Sequence, residues 1–258
     1  MTEIQTKKGL TGANLKWMAI ILMAIDHIGA VIVEPMLLHP NIYQVKDWHT
    51  LYNVYMVLRA LGRFSFPMFC FLMAEGFGYT RSKVKYLRNL LLFAVISEIP
   101  FDLALKGVCW DISYQNVFFT LALGLLAIWS GEELQKRNLV PGIENGKEIW
   151  VRISCIAVVA GMALIAELLN TDYGAIGVIV IFILYRRKEN KISGAFFAWL
   201  ILTLSNWLEV FCLPFVGAVK LYNGQRGKQN KYFFYFFYPV HLLLLYIIKE
   251  IYFFVIVL

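Results

Sequence analysis

The sequence is poor in charge. Only 16% of its 258 residues are Asp, Glu, Lys or Arg, while 60% are hydrophobic; ordinary soluble domains hold roughly 25% and 45–50%. That balance excludes a disordered chain and argues against a soluble enzyme. Cysteine is scarce as well, and Cys70, Cys109, Cys155 and Cys212 stand far apart with no CxxC pair. Neither a zinc site nor a disulfide framework is indicated, and no metal is expected. No GxxxxGK[ST] string occurs, so ATP hydrolysis has no support. The apolar run after Lys7, Lys8 and Lys16 lacks an A-x-A-like cleavage site and reads as a retained first helix, not a secretory signal. No internal repeat or low-complexity tract interrupts the chain.

What is abundant is long apolar sequence. Mean hydropathy is +0.64, and with about 20 apolar residues per crossing the chain supplies roughly nine spans. They are expected near residues 15–38, 54–79, 86–105, 116–130, 151–169, 173–185, 192–204, 208–219 and 232–258. The expected fold is all-α: one polytopic integral membrane helical bundle over residues 1–258, embedded in a lipid bilayer. The net charge of +7 then reads as an orientation signal and not as a nucleic-acid surface, because excess Lys and Arg mark cytoplasmic loops. Sorting all 24 basic residues by loop is a test of this path. All but Lys46, Lys106, Lys249, Arg59 and Arg63 fall on one side, in the segments 7–16, 81–88, 136–152, 186–191 and 220–231. That side is assigned to the cytoplasm, which puts the N-terminus inside and the C-terminus outside. The same rule turns residues 192–219 into a short hairpin, or a re-entrant pair, bending near 206–209. Short broken helices at membrane depth are tolerated only where they line a protein-buried or watery cavity, so a cavity is expected. Residues 138–147, with Pro141, Gly142 and Gly146, read as a flexible connector.

An ionisable group at membrane depth costs about 2.5–3.5 kcal/mol on insertion scales and is a functional candidate by default. At about 1.5 Å per residue, His27 lies roughly 16 Å beyond Lys16, near the middle of a core about 30 Å thick. Asp26 is its neighbour. Arg59 and Arg63, four apart, share one helix face. Glu98 and Asp102, flanking Pro100, are available to balance the two arginines. Glu75 lies toward the cytoplasmic end of its span, whereas Glu167, Asp172 and Glu209 gather near the outer surface. His241, after Tyr238 and Pro239, is again near mid-depth. His39 and His49 read as solvated. A neutral imidazole accepts a proton near pH 7 and gives it back, so His27 beside Asp26 has the makings of a general base with an electrostatic helper. Adjacent helical residues point about 100° apart, which leaves service to Arg63 or to a backbone group as the alternative for Asp26. For the arginines and carboxylates, a structural charge network stands beside substrate contact as an alternative; for His241, a hydrogen-bonding role at a helix kink. The loop 222–231, with Gly224, Arg226, Gly227 and Lys228, either holds phosphates or is simply a cytoplasmic basic loop.

Several of these residues sit in strings that resemble the TraX family, named for a conjugation protein associated with amino-terminal acetylation of pilin. The strings are Asp26-His27-Ile28-Gly29, Arg59-Ala60-Leu61-Gly62-Arg63-Phe64-Ser65-Phe66-Pro67, Glu75-Gly76-Phe77, Ser97-Glu98-Ile99-Pro100-Phe101, Gln115-Asn116-Val117-Phe118, Asp172-Tyr173-Gly174 and Phe237-Tyr238-Pro239-Val240-His241. The family is similar to the wider group of transmembrane acyltransferases. The resemblance implies an acetyl-CoA-dependent enzyme of a bacterial inner membrane, with His27 and Asp26 catalytic. Acetyl-CoA would enter from the cytoplasm with its phosphates near Arg81, Arg88, Arg226 or Lys228. An unidentified amine or hydroxyl acceptor would enter from the outer side. Arg59, Arg63, Glu75, Glu98, Asp102, Asn116, Tyr238 and His241 form the candidate substrate-binding set. The rival readings are a small proton- or ion-coupled transporter and a noncatalytic peptide-binding assembly factor.

Overall fold

The computed structural model describes residues 8–137 and 146–257; Lys7 and nearly all of the expected connector at 138–147 lie outside the described residues. The first helix, α1 (Gly12–Ile28), begins at a capping box. Thr11 Oγ1 accepts from the Asn14 N–H at 3.2 Å and Asn14 Oδ1 accepts from the Thr11 N–H at 3.0 Å, which satisfies amides that have no partner within the helix. The helix continues through a π-helical turn at Gly29–Val33 into α2 (Glu34–Leu38). Gly29 packs there against the Arg59 and Leu58 side chains.

One span was expected over 54–79. The structure has two helices, α3 (Trp48–Gly62) and α4 (Ser65–Tyr79). The cause is Pro67, which has no N–H for the Arg63 carbonyl and whose ring would clash with it; proline is tolerated only in the first turn of the new helix. The break aims Arg63 inward between the two helices. Next come α5 (Lys83–Lys106), with Pro100 inside it, then α6 (Val117–Arg137), α7 (Gly146–Leu168), α8 (Gly174–Arg186) and α9 (Lys191–Ser205). The chain turns at Asn206, whose side chain accepts from the Leu208 N–H at 3.0 Å. It then runs through a 3-10 helix (Trp207–Cys212) and α10 (Pro214–Lys220) to α11 (Lys231–Val257), which contains Pro239. The bend expected near 206–209 is therefore present.

The protein is an all-helical membrane bundle. Among the described residues, five stretches are long and apolar enough to cross a bilayer: Gly12–Leu38, Trp48–Tyr79, Val117–Lys136, Ile149–Leu168 and Tyr232–Val255. The other expected spans correspond to α5, which is richer in charge, and to α8, α9 and the 3-10/α10 pair, which are shorter. The outward faces of α5, α7 and α11 expose Val95, Ile99, Ile156, Leu164, Leu244 and Phe254, a continuous apolar exterior suited to hydrocarbon. At the centre lies α4, packed on α1, α6, α8 and α9, with Met68, Cys70, Phe71, Met73 and Phe77 buried. All four cysteines are unpaired. At the end of the bundle where α1 starts, residues 10–13 run parallel to residues 221–226. Leu10 N–H donates to the Leu221 carbonyl at 2.8 Å, Asn223 N–H to Leu10 at 2.9 Å, and Ala13 N–H to Arg226 at 2.9 Å.

Candidate active site

Two helices far apart in sequence bring His27 and His241 together. His27 Nδ1 lies 2.7 Å from His241 Nε2, and His241 Nδ1 lies 2.7 Å from the Phe237 carbonyl oxygen. The Phe237 ring stacks on His241 at 4.9 Å, and the Tyr238 ring stands edge-on to both imidazoles, 5.9 Å from His27 and 5.7 Å from His241. His241 is buried and His27 is half-buried. Such a pair can take up and return a proton at His27.

Asp26 does not assist His27 by a side-chain bond. Its carboxylate faces α3, where Oδ2 accepts from Arg59 Nη1 at 2.8 Å and Oδ1 from Arg63 Nη2 at 2.7 Å. Of the roles left open for it, the structure realises the one toward the arginines, and the side chain that meets His27 Nδ1 is His241. Arg63 Nη1 also donates to Glu209 Oε1 at 3.1 Å and to the Tyr173 hydroxyl at 3.3 Å, and its Nε to the Arg59 carbonyl at 3.2 Å. Every guanidinium nitrogen of Arg63 thus has a protein partner. Tyr173 donates in turn to Glu209 at 3.2 Å and stacks face to face on Phe66 at 3.5 Å. Tyr173 holds a left-handed backbone, φ +63°, an uncommon conformation for a bulky residue that clusters at functional sites. Gly62 is the contact that admits this network: a Cβ there would overlap the Asp26 carboxylate.

The expectation that Glu98 and Asp102 balance the arginines is corrected by this geometry. The counter-ions are Asp26 and Glu209, and Glu209 is buried within the protein. Glu98 instead accepts from the Asn116 amide, which also donates to the Ala94 carbonyl at 2.8 Å. Asn116 Oδ1 accepts from the Phe118 N–H at 3.0 Å and so starts α6. Asp102 accepts from the Asp111 N–H at 2.7 Å, with Lys106 at 3.6 Å. These contacts tie α5 to α6 and to the following loop. Asp172, in the turn before α8, accepts from the Tyr114 hydroxyl at 2.8 Å; burial raises its carboxyl above the usual range against that bond.

A cavity of about 670 Å³ opens at the basic end of the bundle. Lys16, Arg81, Lys85 and Arg226 stand at its mouth together with Gln229, to which Lys16 donates at 2.6 Å. Glu75 is there too, paired with Lys191 at 2.6 Å. The throat is apolar, lined by Met23, Leu72, Met73, Phe118 and Leu121, and its inner end is the ring of Tyr238. Gly12 and Met23 both line it, so it runs about 16 Å along α1. Of the four basic residues expected to meet phosphates, Arg81 and Arg226 border the cavity, while Arg88 and Lys228 are exposed outside it. Among the described residues, no group of three or more His, Cys, Asp and Glu side chains is placed to hold a metal ion.

The strings that carry these contacts lie in order along a known family. A family model described as TraX protein matches residues 11–249. The chain belongs to the TraX family. Over 122 residues it is 34% identical to a probable fimbrial assembly protein FimC, serogroup H1, of Dichelobacter nodosus, a match covering 45% of this chain and 44% of that relative. The matched part is thus less than half the length of the curated relative. No solved structure matches the chain.

Within this TraX-family chain, Tyr173 and Glu209 complete a cluster that sequence reasoning did not assemble. Glu209 looks like any acid in a short loop, and only the fold shows that it meets Arg63. Tyr173 carried a signal, since it lies between Asp172 and Gly174 in one of the family strings. The π-helical turn just after His27 is a second such feature; insertions of this kind are frequent at functional sites.

Proposed function

We propose that the protein is a membrane-embedded acetyltransferase that takes acetyl from acetyl-CoA on the cytoplasmic side and passes it to an amine or hydroxyl acceptor. The observation that carries this reading is the cavity with a basic mouth and an apolar throat that ends at Tyr238, against the His27–His241 pair. An acyl-CoA is built the same way, with phosphates at one end and a slender arm carrying the thioester at the other. Its phosphates would sit among Lys16, Arg81, Lys85 and Arg226, and the thioester would pass Tyr238 to reach His27. Pockets of roughly 300–1,000 Å³ hold ligands of that size. The basic end is then the cytoplasmic one, in the inner membrane of a bacterium, and the acceptor arrives from the other side.

In this mechanism His27 removes the acceptor's proton as the acceptor attacks the thioester carbon. Arg59, held through one nitrogen to Asp26, keeps donors for the oxyanion that develops. Arg63, Asp26, Glu209 and Tyr173 fix Arg59 and α1 in place. The test is thermal stabilisation of the purified protein by acetyl-CoA and CoA, followed by acetyl transfer in wild type and His27→Ala. A donor at 100 times its dissociation constant adds about 2.7 kcal/mol to stability. The expected result is saturable stabilisation of both proteins with transfer lost in His27→Ala. A folded wild type that acetyl-CoA does not stabilise overturns the proposal.

The similarity to a probable fimbrial assembly protein of Dichelobacter nodosus favours a second reading, a factor in the assembly of fimbriae. The two readings are compatible if the acceptor is an exported peptide. They separate if the protein binds such a peptide but no acyl donor.

A further inference from the structure

Resting on the acetyltransferase reading, we propose that His241 is the positioning residue of the transfer step. It fixes His27 in the tautomer whose Nε2 is the free base, and it then receives the proton that His27 passes on. The argument starts from the Phe237 carbonyl, which can only accept a hydrogen bond. It lies 2.7 Å from His241 Nδ1, so that nitrogen carries the proton. A neutral imidazole has a single N–H, which leaves a lone pair on His241 Nε2. His27 Nδ1 lies 2.7 Å from that lone pair and must therefore donate. The remaining nitrogen of His27, Nε2, is unprotonated. One backbone carbonyl thus sets the direction of both bonds, and the stacked Phe237 ring and edge-on Tyr238 ring hold the imidazole planes that the bonds require.

The same line of atoms serves as a proton path. When the acceptor N–H or O–H attacks the thioester carbonyl carbon, its proton goes to His27 Nε2. His27 Nδ1 gives its own proton to His241 Nε2, so His27 becomes neutral again and the positive charge rests on His241. The tetrahedral intermediate then expels the CoA thiolate, which takes the proton from His27 Nε2, and His241 returns its proton to His27 Nδ1. One acceptor–hydrogen bond and one C–S bond are broken; one S–H bond and one bond from acetyl to the acceptor are formed. The charged groups nearest the pair are Asp26 on α1, Arg59 on α3 and Arg63 just past the end of α3, and the neutral Tyr238 on α11 stands against both rings. Moving the cation to His241 takes it away from the two arginines and places it against the Phe237 carbonyl, an acceptor.

The experiment compares wild type, His241→Gln and His241→Leu. Histidine labelled with nitrogen-15 reports the tautomer by NMR without any acyl donor present. The wild type is expected to show His27 protonated at Nδ1. His241→Gln retains that state, because the amide oxygen accepts from Nδ1, whereas His241→Leu loses it. General-base assistance contributes about 10²–10⁴-fold to rate. The Leu variant is therefore expected to lose turnover by about that factor, and the Gln variant by less, with acetyl-CoA stabilising all three proteins alike. A wild-type His27 protonated at Nε2, or a Leu variant turning over at the wild-type rate, overturns the proposal. Failure of acetyl-CoA to stabilise the wild type sinks the acetyltransferase reading instead, and the tautomer measurement stands apart from it.

Discussion

Replacing Arg63 with Met removes a guanidinium at membrane depth while keeping a side chain of similar length. Asp26 retains its 2.8 Å contact to Arg59, but Glu209, 2% exposed, keeps only the Tyr173 hydroxyl at 3.2 Å. Removing one partner of a buried ion pair costs about 3–5 kcal/mol, because the charge left behind has no counter-ion. With Asp26 still paired and Glu209 still hydrogen-bonded, the low end applies, about 3 kcal/mol, roughly a hundredfold in the unfolding equilibrium. Adding Glu209→Gln removes the orphaned charge, so the double variant is expected to recover about 1–2 kcal/mol of that loss. The assay is reversible unfolding in mixed micelles across the four proteins of the double-mutant cycle, followed by tryptophan fluorescence. If Arg63→Met unfolds within about 0.5 kcal/mol of wild type, the range of ordinary surface changes, or if the double variant is no more stable than Arg63→Met, the network is not what holds α1, α3 and the 3-10 helix together.

Three further outcomes follow from single contacts. Gly62→Ala pushes a methyl group into the Asp26 carboxylate and is expected to lower stability by about 1–3 kcal/mol. Gly161→Ala, whose methyl meets open space, is expected to be neutral or stabilising by up to about 1 kcal/mol; equal unfolding midpoints for the two would contradict the close approach. Tyr238→Ala removes the wall between cavity and histidines, so rates of CoA release are expected to shift from acetyl toward longer acyl donors, and an unchanged ratio would show that Tyr238 does not limit chain length. Hydrogen bonds from Lys106 and then Ser113 hold the Asp111 carboxyl down to about 2, below its ordinary 3.8. A depressed folded value contributes stability above pH 3.8 that is lost as pH falls toward 2. The melting temperatures of wild type and Asp111→Asn are thus expected to converge over that interval, and a gap that stays constant refutes the linkage.

Much of this arrangement was legible because the bilayer constrains sequence strongly. Apolar runs gave the helices, and the uneven placement of Lys and Arg gave the bend at Asn206. Depth arithmetic put His27 and His241 at similar levels, and the structure joins them. The break between α3 and α4 carried a readable sign in Pro67, but the apolar run across 54–79 masked it. The partners of Arg59 and Arg63 were not legible. Glu98 and Asp102 were the carboxylates that depth arithmetic offered to the arginines, while Glu209 read as an acid near the outer surface, and depth alone does not say which helix faces which. That choice is made by packing, through Gly62 admitting Asp26 and through the 3-10 helix folding Glu209 back onto α3. The direction of the histidine hydrogen bonds was equally hidden, because it depends on how one side chain folds back onto a carbonyl four residues earlier.

His27 and His241 lie 214 positions apart, and residues 10–13 pair with residues 221–226 beside the cavity, which Gly12, Tyr222, Gly224 and Arg226 line. Ribosomes add about 5–20 residues per second, so these partners are made roughly 10 to 40 seconds apart. During that interval α1 sits in the membrane with its histidine lacking the bond that sets its tautomer, and the mouth lacks one of its walls. A nascent chain, or one cut short before α11, therefore holds a base with no fixed tautomer beside a half-built cavity. Completion of the last helix is what brings His241 and the Phe237 carbonyl to His27 and adds Phe234, Tyr235 and Tyr238 to the cavity lining.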